Sequence, residues 1–95
     1  MKVYLSGKIT GDPDYKTKFA AMEKKLTEQG YQVFNPAVFP NIFEYEDFMT
    51  LDFMALSFCE AIYLLKDWKD SKGAVREYKE ALRLGLKVFA ENEAA

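Results

Sequence analysis

Apolar positions along this chain follow two periods. Lys2-Val3-Tyr4-Leu5, Gln32-Val33-Phe34, Ala61-Ile62-Tyr63-Leu64-Leu65 and Leu86-Lys87-Val88-Phe89 are short runs bounded by polar residues or glycine, the signature of strands. Between them the spacing turns helical. From Tyr15 to Gln29, Phe19, Met22 and Leu26 recur on one face, and Gly30 follows as a C′ glycine. From Glu46 to Phe58 a wheel groups Phe48, Leu51, Asp52, Ala55 and Cys59. A last helix begins at Asp70 or Ser71, either of which can cap it. At about 100° per residue, its Gly73 to Gly85 segment puts Ala74, Tyr78, Ala81, Leu82 and Gly85 on one face and Arg76, Lys79 and Arg83 opposite. Strands alternating with helices predict one α/β domain over residues 1–95. The expected architecture is a three-layer, flavodoxin/Rossmann-like sandwich with a parallel sheet of about four strands in order 2-1-3-4.

Two acids do not fit this pattern simply. Asp52 falls inside an apolar stripe, where an unpaired carboxylate costs several kcal/mol, so it is satisfied by backbone donors or faces a pocket. Glu77 projects from the margin of its helix's apolar face, near the N-terminus. There it either favours the helix dipole or reaches a cleft while partly desolvated. In a sheet of order 2-1-3-4 the connections reverse beside strands 1 and 3, and ligands bind outside the carboxyl ends at that point. The Ser6-Gly7-Lys8-Ile9-Thr10-Gly11 loop and the Asp70–Glu77 stretch then flank one crevice, with Asp52 arriving from the preceding helix. A loop with two glycines and hydroxyls serves as a turn or wraps a phosphate, while Gly73 at a helix mouth permits close approach of an anion.

The segment from Glu46 to Phe58 also carries Met49, Phe53 and Met54, so it is apolar nearly all round. Either it packs on a second subunit across a twofold axis, giving a homodimer or larger homo-oligomer through helix 45–58, or these side chains fill the local core. Before it, Asn35-Pro36-Ala37-Val38-Phe39-Pro40-Asn41 is a loop, because two prolines forbid regular structure.

Composition narrows the function. A net charge of −2 and a pI near 5.1 argue against a nucleic-acid polymer or a membrane surface as partner. With no histidine and one cysteine, the usual zinc sites and Ser-His or Cys-His nucleophiles are excluded within one chain, and neither metal nor cofactor is called for. No signal segment, bilayer-length apolar run or disulfide framework is evident, so a cytoplasmic protein is expected.

Tyr4-x-x-Gly7-x-Ile9-x-Gly11, then Asp52 ahead of Glu60-Ala61-Ile62, then Ser71-x-Gly73-x-x-x-Glu77 together resemble the nucleoside 2-deoxyribosyltransferase superfamily over nearly the whole chain. The likeness is greatest to its short phage and bacterial members of unassigned function. The resemblance implies cleavage of the N-glycosidic bond of a 2′-deoxynucleoside or its 5′-monophosphate, by hydrolysis or base exchange, through a covalent glycosyl-Glu77 intermediate. It implies Asp52 as the residue that contacts the nucleoside and assists proton movement, and Tyr4 as the aromatic that helps place the nucleophile. Ser6, Gly7, Lys8, Ile9, Gly11, Ser71 and Gly73 become substrate- or phosphate-binding positions. A serine at position 71 is the form found in members acting on 5′-monophosphates, similar to the deoxynucleoside 5′-monophosphate N-glycosidases. The resemblance further implies that a neighbouring subunit's C-terminal part completes the pocket, for which Asn92 is the candidate. The loop from Asn35 to Glu44 also carries Phe39 and Phe43, which either stack on a base or pack at a subunit contact. The rival reading is a non-catalytic nucleotide-binding protein with the same fold.

Overall fold

In the computed structural model, which describes residues 1–91, four parallel strands form one sheet in the order β2-β1-β3-β4. The elements run β1 (Lys2–Ser6), α1 (Tyr15–Glu28), β2 (Gln32–Phe34), α2 (Tyr45–Ser57), β3 (Ala61–Leu64), α3 (Lys72–Leu84) and β4 (Lys87–Ala90), with single 3-10 turns at Pro36–Val38 and Trp68–Asp70. The predicted class and strand order are those observed, and strand ends differ from the sequence reading by one residue. Leu65 leaves the third strand, its amide donating to the Ser6 carbonyl, and the fourth starts at Lys87 rather than Leu86.

Alternation along the central strands sorts the core into two layers. Val3 and Leu5 of β1, with Ala61 of β3, face α1 and pack with Phe19, Met22 and Leu26. Tyr4 of β1, with Ile62 and Leu64 of β3, faces the other way, onto Leu56 of α2 and Ala81 of α3. The same alternation sends Ser6 to the side of Tyr4, so two hydroxyls two residues apart point at the α2 and α3 layer. Both are essentially water-free.

The helix wheels need one correction. On α3 the buried line is Ala74, Glu77 and Ala81, while Leu82, expected on the inner face, is 53% exposed. On α2 the buried line is Met49, Asp52 and Leu56 rather than one through Phe48, Leu51 and Ala55. In each helix an acid sits midway along the buried line, with the same i, i+3, i+7 spacing. A wheel that seeks only apolar residues drifts off such a line.

Beside the sheet, the 3-10 turn after β3 carries Trp68, whose ring lies 4.8 Å from that of Tyr78 on α3. Among the described residues, no helix is long and apolar enough to cross a membrane.

Candidate active site

Ser71 begins α3, and its side chain accepts the Ala74 amide at 3.1 Å. That bond occupies one lone pair of the hydroxyl and leaves its proton free for the cavity the residue lines. One turn later, α3 turns Glu77 inward onto β1. The Tyr4 hydroxyl donates to Glu77 Oε2 at 2.8 Å and the Ser6 hydroxyl donates to Oε1 at 2.7 Å. Both carboxyl oxygens are thus gripped from the sheet, and the group is 5% exposed. Such a carboxyl cannot swing.

Asp52 comes from the facing line of α2 and is 7% exposed. Its Oδ1 is buried with no hydrogen-bond partner among the described residues, so the backbone-donor alternative does not account for this oxygen. Among the described residues, no cation forms an ion pair with either acid. Burial first, and then the neighbouring Asp52 charge, hold the Glu77 pKa well above the ordinary carboxylate range, against the opposing hydrogen bonds from Ser6 and Tyr4. Burial likewise raises Asp52, with hydrogen bonding to Glu77 and Tyr4 working the other way. Tyr4 is held protonated by burial and by the two acids beside it. Both shifts run toward the proton-bound form, so the pair holds a proton more readily than two ordinary carboxyls would.

Both acids face a cavity of about 370 Å³ at the carboxyl ends of β1 and β3. Gly7, Ile9 and Thr10 form one wall, and Asp70, Ser71, Lys72 and Gly73 form the other. Aromatic and thioether groups supply much of the remainder, from Tyr15 and Phe19 and from Phe39, Tyr45, Phe48 and Met49. The lining is apolar enough to exclude water from the acids, and it presents ring faces to a planar ligand.

Not every residue singled out from the sequence lines this space. Tyr4 and Ser6 lie behind Glu77 and reach the cavity only through it. Lys8 and Gly11 are not lining residues. The Lys8 backbone N–H is taken by Asp67 Oδ1 at 3.1 Å, and its side chain runs beside Gly11, which turns the loop at φ 81°. The cation that does line the cavity is Lys72. Gly7 lines it too, yet what demands glycine there is Leu65: a Cβ would lie 2.7 Å from Leu65 Cδ1 and 2.9 Å from its Cβ. Asn92 lies outside the described residues.

Sequence reasoning missed Tyr45, Phe48 and Met49 as cavity residues. Their signal was present, since they precede Asp52 by seven, four and three positions and so share its helix face. It missed Lys72 as well, although that residue stands between Ser71 and Gly73.

The parallel sheet of this order, with its helices, is a fold shared with 2-deoxyribosyltransferases of known structure. The structure superposes on the 2-deoxyribosyltransferase of Bacillus psychrosaccharolyticus with a TM-score of 0.74 at 18% identity, over all of this chain and 77% of that one. The 2-deoxyribosyltransferase of Leishmania mexicana gives 0.74 at 16% identity, over 94% of this chain and 62% of that one. The CMP N-glycosidase BcmB of Clostridium botulinum gives 0.70 at 21%, over 95% and 70%. In sequence the chain belongs to a family described as a domain of unknown function (DUF4406), which it matches over residues 1–90. No curated protein matches it.

Proposed function

We propose that this protein cleaves the N-glycosidic bond of 2′-deoxynucleosides or their 5′-monophosphates, with Glu77 as nucleophile. The observation that carries the reading is the Glu77 carboxyl, fixed by Tyr4 and Ser6 and dry, beside an Asp52 oxygen that has no partner. An oxocarbenium-like transition state requires a fixed, poorly solvated carboxylate beside the anomeric carbon, which this arrangement supplies. Glu77 bonds to C1′ as the C1′–N bond breaks, and the proton held on the acid pair leaves with the base through Asp52. Water, or the nitrogen of a second base, then attacks C1′ and restores the Glu77 carboxylate, the incoming nucleophile's proton returning to the pair.

A 5′-phosphate would sit at the N-terminus of α3, where the free Ser71 proton, the first-turn amides and Lys72 meet. Water is the acceptor we favour. Exposed apolar groups at Met54 and Phe58, with Val38, Ile42 and Phe43 also exposed in the segment that precedes α2, support pairing with a second copy through helix 45–58.

The test is a chromatographic search for free base after incubation with each deoxynucleoside and each 5′-monophosphate. Release from monophosphates alone supports the hydrolase with Ser71 as phosphate ligand, whereas exchange that requires a second base supports a transferase. One feature favours a non-catalytic nucleotide-binding protein instead, namely that burial raises the Glu77 pKa and so disfavours the ionised form a nucleophile needs. No release from any of these substrates overturns the glycosidase reading and favours the second.

A further inference from the structure

Lys18 stands in the first turn of α1 and lines no part of the cavity, yet its ammonium makes three contacts. It donates to the Lys8 carbonyl at 2.9 Å, to Asp12 Oδ2 at 2.6 Å and to Asp67 Oδ2. An ammonium has three protons, so its donor capacity is filled. Asp12 also accepts the Asp14 amide at 2.9 Å, which shapes the end of the first loop. Asp67 belongs to the segment after β3, and its second oxygen accepts the Lys8 amide across the cleft. Every charged group of this cluster is about three-quarters buried, with exposures of 22–24%. Although burial works against it, hydrogen bonding to the two acids and their charge keep the Lys18 ammonium firmly protonated.

The two segments so joined are the two walls of the cleft. One leads through Gly7, Ile9 and Thr10, the other through Asp70 and Ser71. We propose that Lys18 is a positioning residue: by binding Asp12, Asp67 and the Lys8 carbonyl together it sets the distance between the walls, and hence the fit of the ligand held between them. Glu77 is placed independently, because Tyr4 and Ser6 hold it from β1. Removing the ammonium therefore loosens ligand binding and spares the chemical step. That kinetic consequence rests on the glycosidase reading, whereas the coupling of the two walls does not.

The experiment compares wild type with Lys18→Met, which keeps most of the apolar stem, and with Asp67→Asn, which can still accept the Lys8 amide but lacks the charge. Amide hydrogen exchange is followed over residues 7–13 and 66–71, and base release is measured on the deoxynucleoside 5′-monophosphates. In Lys18→Met both segments should exchange at least about tenfold faster while the rest of α1 keeps its wild-type rate, with Asp67→Asn changing the same segments in the same direction. KM should rise about tenfold with kcat within about threefold of wild type. Acceleration of one segment alone, of neither, or of the whole molecule alike overturns the proposal, as does a fall in kcat at constant KM. Should wild type release no base, the glycosidase reading fails, and the exchange rates still decide whether Lys18 joins the walls.

Discussion

At the floor of the cleft Glu77 and Asp52 lie side by side; at its rim Asp12 and Asp67 do the same. The rim pair shares an ammonium and retains some solvent, and Asp12 is held below the ordinary carboxylate range, chiefly by its bond to Lys18. The floor pair has hydroxyl donors only, no cation and almost no water, and both of its acids are pushed upward. Carboxylate pairs of equal formal charge thus serve opposite ends. A compensated pair fastens backbone in place, whereas an uncompensated, rigid pair is poised to give up a proton or gain a bond.

Breaking the floor should produce the largest effect. Glu77→Gln keeps an acceptor for one of the two hydroxyls but removes the nucleophile, so base release should fall by at least about a thousandfold while nucleotide binding survives. The same change removes a charge that burial disfavours, and Tm at pH 7 should hold or rise by a few degrees. A large loss of Tm would mean that Glu77 serves the fold rather than the reaction.

A smaller effect sharpens the contrast through pH. Asp52→Asn removes the charge beside Glu77, so the pH limb set by Glu77 ionisation should move down, whereas Ser6→Ala removes a stabilising hydrogen bond and should move it up. Opposite shifts in the rate profiles of the two variants are the expected result, and shifts of one sign would contradict it. Stability follows the same logic. Glu77 is raised on folding, so the native state binds more protons, and its contribution, present at low pH, is lost as pH rises from the ordinary carboxylate value through the raised one. Asp12 is lowered on folding, so its contribution is present above the ordinary value and is lost as pH falls through the lowered one. Thermal melts should accordingly show Glu77→Gln gaining on wild type as pH rises above the ordinary carboxylate value, and Asp12→Asn falling behind it as pH rises from the lowered value to the ordinary one.

The smallest effect lies where floor meets rim. Gly7→Ala drives a Cβ against Leu65, a buried side chain, and should cost about 1–3 kcal/mol in a denaturant titration. Leu65→Ala in the same chain should recover part of that loss, because the clash disappears while a cavity remains. An additive double mutant would remove Leu65 as the reason for glycine at this position.

How legible all this is in sequence depends on range. Strand alternation and helical spacing are local, and they carried the sheet order and the meeting of the two loops at one crevice. The acids were visible as misfits, Asp52 inside a stripe and Glu77 at a margin, although the wheels placed both lines a fraction of a turn from where they run. That error has a physical source: Glu77 is inside because Tyr4 and Ser6, more than seventy positions earlier, reward it there, and no window on α3 contains them. The rim was illegible for the same reason. Asp12, Lys18 and Asp67 interrupt no local apolar pattern that would mark them, and Lys18 meets Asp67 across forty-nine positions. Lys8 drew attention as the loop's cation, yet the cavity's cation is Lys72.

Trp68 is the chain's one tryptophan. It sits next to Asp67 at the rim, with its indole against the Tyr78 ring of α3 and the Lys69 ammonium 5.8 Å from its centroid. Indole emission is sensitive to neighbouring charge and to water, and nothing else in this protein fluoresces at its wavelength. Any opening of the rim against α3 alters that neighbourhood. The molecule thus carries an optical gauge of its own cleft, readable on unlabelled protein in real time as a ligand arrives.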